Sequence, residues 1–203
     1  MSLVDIFSII KDTVLSAAAC VTGGVALAGL GAWRKELSGR ANFDVARQLA
    51  RTTYIVRDQI SYCRSPFTAA QEFPAGYQGA SSTRNSKEEG DAWVYVYKNR
   101  WDPLGKAVQD FDAASLEAEA LWGHDVKQQC MELRGCVRVL QVGIEMFVQD
   151  KRSGGQLFKN VQLAQRIESD IWDTQSDDNE LTKRINAAIS GIEGVLRPHL
   201  SRS

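Results

Sequence analysis

The sequence predicts an all-α protein, with one N-terminal transmembrane helix followed by a cytoplasmic antiparallel helical bundle. Three observations carry this. Residues Thr13 to Ala32, TVLSAAACVTGGVALAGLGA, run for about twenty positions without a charge, and a helix of that length spans roughly 30 Å, the hydrocarbon thickness of a bilayer. Val126, Cys130, Leu133, Val137, Leu140, Ile144 and Phe147 alternate spacings of four and three, a heptad seam of about three repeats. Only AWVYVYKNRW at 92–101 alternates like a strand, and a strand without a partner cannot satisfy its backbone.

The expected divisions are a short extracytoplasmic N-terminus at 1–12, the span at 13–33, a basic juxtamembrane helix at 34–64, a partly disordered loop at 65–87 and the bundle at 88–200. A cleaved signal is a rival for the first segment, with Ala17 and Ala19 as a small-residue site and Cys20 as a lipidation point. Lys11 and Asp12 leave too short an apolar core before Cys20, and apolar sequence continues well past it. A buried core helix is the other rival, because the stretch is rich in Ala and Gly. Arg34, Lys35, Arg40, Arg47 and Arg51 follow the span against Glu36 and Asp44, whereas Asp5, Lys11 and Asp12 precede it. The positive-inside rule then puts the body in the cytoplasm, with Trp33 at the interface. Ser16, Cys20, Gly24, Ala28 and Ala32 recur every four residues as a small-residue stripe suited to helix association.

After the span, a helix from Asn42 to about Cys63 buries Val45, Leu49, Thr53, Val56, Ile60 and Cys63. Another of its faces carries Arg47, Arg51, Tyr54 and Asp58, either a solvated surface or a grip for anionic lipid or a phosphate-bearing ligand. From Ser65 to about Lys87 no period survives; Phe67, Phe73 and Tyr77 are expected to pack back onto the helices, and the centre to be disordered. Trp93, Val96, Tyr97, Arg100, Trp101 and Leu104 fit a helix, with Asp102 and Pro103 marking a kink or a fresh start. Leu104, Val108, Phe111, Ser115, Ala118 and Trp122 continue it to Gly123.

The heptad helix should occupy about Asp125 to Lys151 and stop at Ser153-Gly154-Gly155. Leu157, Val161, Ala164, Ile167 and Ile171 mark a shorter helix ending near Trp172. A last one opens at Asp177, with Glu180 completing a capping box, carries Leu181, Ile185, Ala188, Ile192 and Val195, and is ended by Pro198. Short links between amphipathic helices give an antiparallel bundle, with the heptad helix as its spine.

Chemistry is sparse. No Walker loop, GxGxxG, HExxH, GxSxG or paired CxxC occurs. Cys20, Cys63, Cys130 and Cys136 sit on apolar stripes and read as reduced, buried thiols. With His124 and His199 as the only histidines, a zinc site has few ligands. Gly154-Gly155 reads as a helix link rather than a phosphate cradle, and Asp177-Asp178-Asn179-Glu180 as a helix opening rather than a metal cluster. No catalytic residue, metal ligand or cofactor is assigned. The net charge of −1 argues neither for nor against nucleic acid, and no nucleic-acid partner is expected. Charge is uneven, with a basic 33–64 and an acidic 168–180.

WRKELSGR at 33–40 and ARQLARTTYIVRDQISYCRSPF at 46–67 resemble the juxtamembrane start of bacterial single-pass inner-membrane proteins of no assigned function. The resemblance covers about a fifth of the chain and implies the same membrane setting. The expected partners are membrane lipids, contacted by Arg34, Lys35, Arg40, Arg47, Arg51 and Tyr54, and a second copy or another protein. The reading is a non-enzymatic anchor and docking bundle. A membrane-damaging effector of a bacterial defence module, and a sensor or enzyme with an anion site, are its alternatives.

Overall fold

The computed structural model describes residues 3–77, 85–173 and 178–200; within the first helix, side chains are described at Leu15, 21–25, 29–31 and from Trp33 onward. Five α-helices run in order: α1 (Leu3–Cys63), α2 (Ser86–Trp122), α3 (His124–Arg152), α4 (Val161–Ile171) and α5 (Glu180–Leu200). Two compact units divide the chain, Met1–Asp44 and Val45–Ser203. The described residues contain no strand, and 92–101 is helical as expected.

Helix α1 corrects the expected start at Asn42, because the chain is helical straight through that residue. None of 34–44 is a helix breaker except Gly39, and one Gly in a helix costs only about 1 kcal/mol. Its second half belongs to the bundle rather than to a separate juxtamembrane element. Ala46, Leu49, Val56, Ile60 and Cys63 lie in the same apolar core as α2, α3 and α5.

The transmembrane span expected at 13–33 finds no support among the described residues, where no helix is long and apolar enough to cross a membrane. The stretch is helical, but side chains 13, 14, 16–20, 26–28 and 32 lie outside the described residues. Ser16, Cys20, Ala28 and Ala32 of the small-residue stripe fall there with them. Gly24 is described, and a Cβ on it would meet nothing within 4 Å.

Within Val45–Ser203 the heptad seam organises the packing. All seven predicted seam residues of α3 are buried, and α2, α4 and α5 each pack on that helix. Ion pairs fix α2 antiparallel to α3: Lys127–Glu119 at 2.9 Å beside the turn, Arg134–Asp112 at 3.1 Å midway and Arg152–Asp91 at 2.7 Å at the far end. The turn between them is Gly123 alone, at φ 83° and ψ −161°, a conformation open essentially to glycine only. Helix α5 runs antiparallel to α1, with Tyr54 on Glu193 at one end and Arg64 on Thr182 at the other.

Four further expectations are corrected. Of the two readings of Pro103, the fresh start is overturned: it lies inside α2, carried by the buried Leu104, Ala107, Val108 and Phe111 beyond it. Pro198 likewise lies inside α5, which reaches Leu200. The start of α5 is at Glu180, where Asn179 takes the cap through Oδ1 from the Thr182 N–H at 3.0 Å; Asp177 lies outside the described residues. On α4, Ile167 and Ile171 are buried as predicted, but Leu157 and Val161 are exposed, because Leu157 falls in a 3-10 turn before the helix.

Candidate functional site

Three surfaces compete, and the buried polar groups decide which residues are free to act on them. Two arginines are almost wholly enclosed, Arg64 at 1% and Arg100 at 2% exposure. Arg100, on α2, donates to both carboxylate oxygens of Glu72 (2.7 and 3.1 Å), to the Ser65 and Phe67 carbonyls (2.7 Å each) and to Thr68 Oγ1 at 3.3 Å. It therefore gathers the segment after α1 onto the bundle. Arg64 donates to the Asp170 and Ser169 carbonyls, to Thr182 Oγ1 and to Asn179 Oδ1, tying α1 to α4 and α5. Both are structural staples, and no buried side-chain N or O among the described residues lacks a partner.

The loop after Ser65 is ordered by that staple and by rings. Phe73 stacks on Tyr77 with centroids 4.3 Å apart and meets Trp93 edge-on, and Trp93 meets Phe147. Phe67, expected to pack back as well, is instead 76% exposed, because Arg100 holds it by its carbonyl rather than its ring. The expectation of disorder at the loop centre falls on 78–84, outside the described residues.

The described thiols Cys63, Cys130 and Cys136 are all free and buried. Burial pushes the Cys63 thiol up to about 12 and raises the other two, which suppresses thiolate chemistry. The amides of Gly154 and Gly155 donate to the Lys151 and Asp150 carbonyls at 3.3 and 2.9 Å, closing the end of α3; no phosphate cradle remains. His199, within α5, stacks on Trp122 with ring centroids 4.1 Å apart. Among the described residues no group of three His, Cys, Asp or Glu is placed to hold a metal.

The first surface is the basic one. Arg34, Lys35 and Arg40 are exposed in the first unit, with Arg40 paired to Glu36 at 2.6 Å. Arg47 and Arg51 are exposed in the second unit. Tyr54 is committed elsewhere: its hydroxyl donates to Glu193 at 2.7 Å, and that bond to a carboxylate raises its pKa. Asp58 pairs with Arg57 at 2.8 Å. The face Arg47, Arg51, Tyr54, Asp58 thus stands beside a carboxylate from α5, a poor setting for an anion.

The second surface is the apolar side of residues 15–37. Leu15, Val21, Val25, Leu30, Trp33 and Leu37 are 47–68% exposed.

The third is the outer groove between α2 and α3. Val94, Tyr97, Trp101, Ile144 and Val148 line a hollow of about 260 Å³, rimmed by Lys98, Asp102 and Glu145. It continues past Trp101 and Gln141 into a wider one of about 610 Å³, lined by Val108, Met131, Gly135 and Arg138 among others. No sequence period flagged this groove, since its floor is the rim of two seams already counted as core. No protein-family model, curated protein or solved structure matches the chain.

Proposed function

We propose that the chain is a membrane-anchored helical bundle, held at a bacterial inner membrane with its bundle in the cytoplasm, that works by docking or oligomerisation rather than catalysis. The observation that carries this is the row of large apolar side chains from Leu15 to Leu37, each about half or more exposed. Large exposed apolar patches on a protein in water mark interaction or membrane sites. The uncharged stretch 13–32 has the length of a bilayer core, and a hydrocarbon environment suits Leu15, Val21, Val25 and Leu30 within it.

The flanking charges support the orientation. Arg34, Lys35 and Arg40 are exposed directly after Trp33, where lysine and arginine interact with anionic headgroups at about 1 kcal/mol each. The described thiols Cys63, Cys130 and Cys136 are buried with raised pKa values, which disfavours thiolate chemistry in the bundle. The anion-site alternative loses ground because Tyr54 is bound to Glu193.

Carbonate extraction tests the anchor. Full-length protein is expected to stay in the membrane pellet at high pH, and a version lacking 1–36 to be released to the supernatant. Release of the full-length chain by carbonate overturns the reading.

A further inference from the structure

The outer face of α3 carries a second seam that the core does not use. Met131, Gly135, Arg138, Val142 and Glu145 alternate spacings of four and three, the pattern of a helix that packs against another helix. Met131 is 59% and Val142 38% exposed. Gly135 has no side chain to obstruct an approach, and only the tip of Arg184 comes within 4.0 Å of where its Cβ would stand.

The charges on this face are arranged unlike the others on the hairpin. Lys127, Arg134, Lys151 and Arg152 each pair with an acid of α2. Arg138 and Glu145 meet only the neutral side chain of Gln141, which accepts from Arg138 at 3.1 Å and donates to Glu145 at 2.9 Å. They are thus opposite charges, held in place by one amide and lacking an ion-pair partner among the described residues. Arg138 stands four residues before Val142 and Glu145 three after it.

We propose that a second copy of this chain covers the face, with the two α3 helices antiparallel about a two-fold axis beside Val142. Such an axis makes the patch self-complementary, as an isologous dimer requires. Arg138 and Glu145 lie seven residues apart, roughly 10 Å along the helix. An antiparallel copy at the usual interaxial distance of about 8–10 Å therefore meets both charges at once, Arg138 on the partner's Glu145 and the reverse. Val142 of each copy lies next to the axis, and the half-buried Trp101 flanks the contact. The second copy fits better than an unrelated helix because the charge order along α3, positive then negative, is complementary to itself reversed. This inference deepens the oligomerisation half of the function proposed above and does not depend on the anchor.

The test uses the full-length chain in detergent micelles, carrying Cys20→Ser so that, with Cys63, Cys130 and Cys136 buried, an introduced thiol is the one that oxidises. Val142→Cys is expected to give a disulfide-linked dimer on mild oxidation. Arg138→Glu and Glu145→Arg, each alone, set like charges against each other and are expected to weaken the dimer at least tenfold by sedimentation, with unchanged helix content. Mixing the two single variants pairs opposite charges across the interface again and is expected to restore a heterodimer, a result no contact within one chain can produce. No crosslink at Val142, dimers indifferent to both charge changes, or a mixture that stays monomeric each overturns the proposal. Carbonate extraction reads the anchor separately, so either idea can fail without the other.

Discussion

Replacing Arg100 by Leu would strip Glu72 of its partner and leave the Ser65 and Phe67 carbonyls without their donors. Removing one member of an enclosed ion pair costs about 3 kcal/mol or more, most of it the desolvation of what is left behind. Urea unfolding of Arg100→Leu should show that loss, and limited proteolysis should cut within 65–77 first. The same pair sets a pH dependence. The hydrogen bonds from Arg100 hold the Glu72 carboxyl below the ordinary carboxylate range. A depressed folded pKa gives stability that is present above that range and lost as pH falls through the folded value. The stability difference between wild type and Glu72→Gln should therefore shrink with acidification; parallel acid limbs would show that the pair adds nothing. Arg100 was visible in the sequence as a charge on the apolar stripe of Tyr97 and Leu104. Its partners were not, because they come from an aperiodic segment nearly thirty residues earlier. Arg64 was less legible still, since a count of basic residues gives the same weight to a buried guanidinium as to one in solvent.

At the scale of elements, two positions in α2 test opposite physics. Pro103 removes the N–H that would donate to the carbonyl of Asn99, and a proline inside a helix costs about 3 kcal/mol relative to alanine. It also restricts the unfolded chain, which offsets part of that cost. Pro103→Ala should thus raise stability by about 1–2 kcal/mol, read as a higher urea midpoint at unchanged slope. Gly90 stands where α2 crosses the end of α3, and a Cβ there would lie 2.9 Å from the backbone N and Cα of Arg152. Backbone cannot swing aside as a side-chain tip can, so Gly90→Ala should lose about 1–3 kcal/mol despite alanine's better helix propensity. A stable Gly90→Ala variant would mean that the two helices separate there at little cost. The α3 seam was the most legible element, because unbroken heptad spacing leaves one face to bury. Helix ends were the least: Asn42, Asp102 and Pro198 all look like punctuation, yet α1, α2 and α5 run through them, and beyond Asp102 the buried Leu104, Ala107 and Phe111 carry α2 on.

For the whole molecule, the chain divides at Asp44 and Val45 into two compact units. Among the described residues the buried apolar core begins at Ala46, and the staples Arg64 and Arg100 bind within the second unit. Sequence alone put the bundle's start near residue 88, because a basic helix beside an apolar stretch reads as belonging to the membrane. The buried side of that helix, Leu49, Val56, Ile60 and Cys63, was legible; that it fills the same core as α3 depends on contacts far along the chain. If the core is self-sufficient, residues 45–203 should unfold in one cooperative urea transition, with a midpoint close to that of the full chain. The slope should also match, since it scales with the surface exposed on unfolding and the described core lies beyond residue 44. Loss of the cooperative transition would mean that α1 needs its N-terminal half to stay in register, and the boundary at residue 44 would then divide contacts without dividing stability.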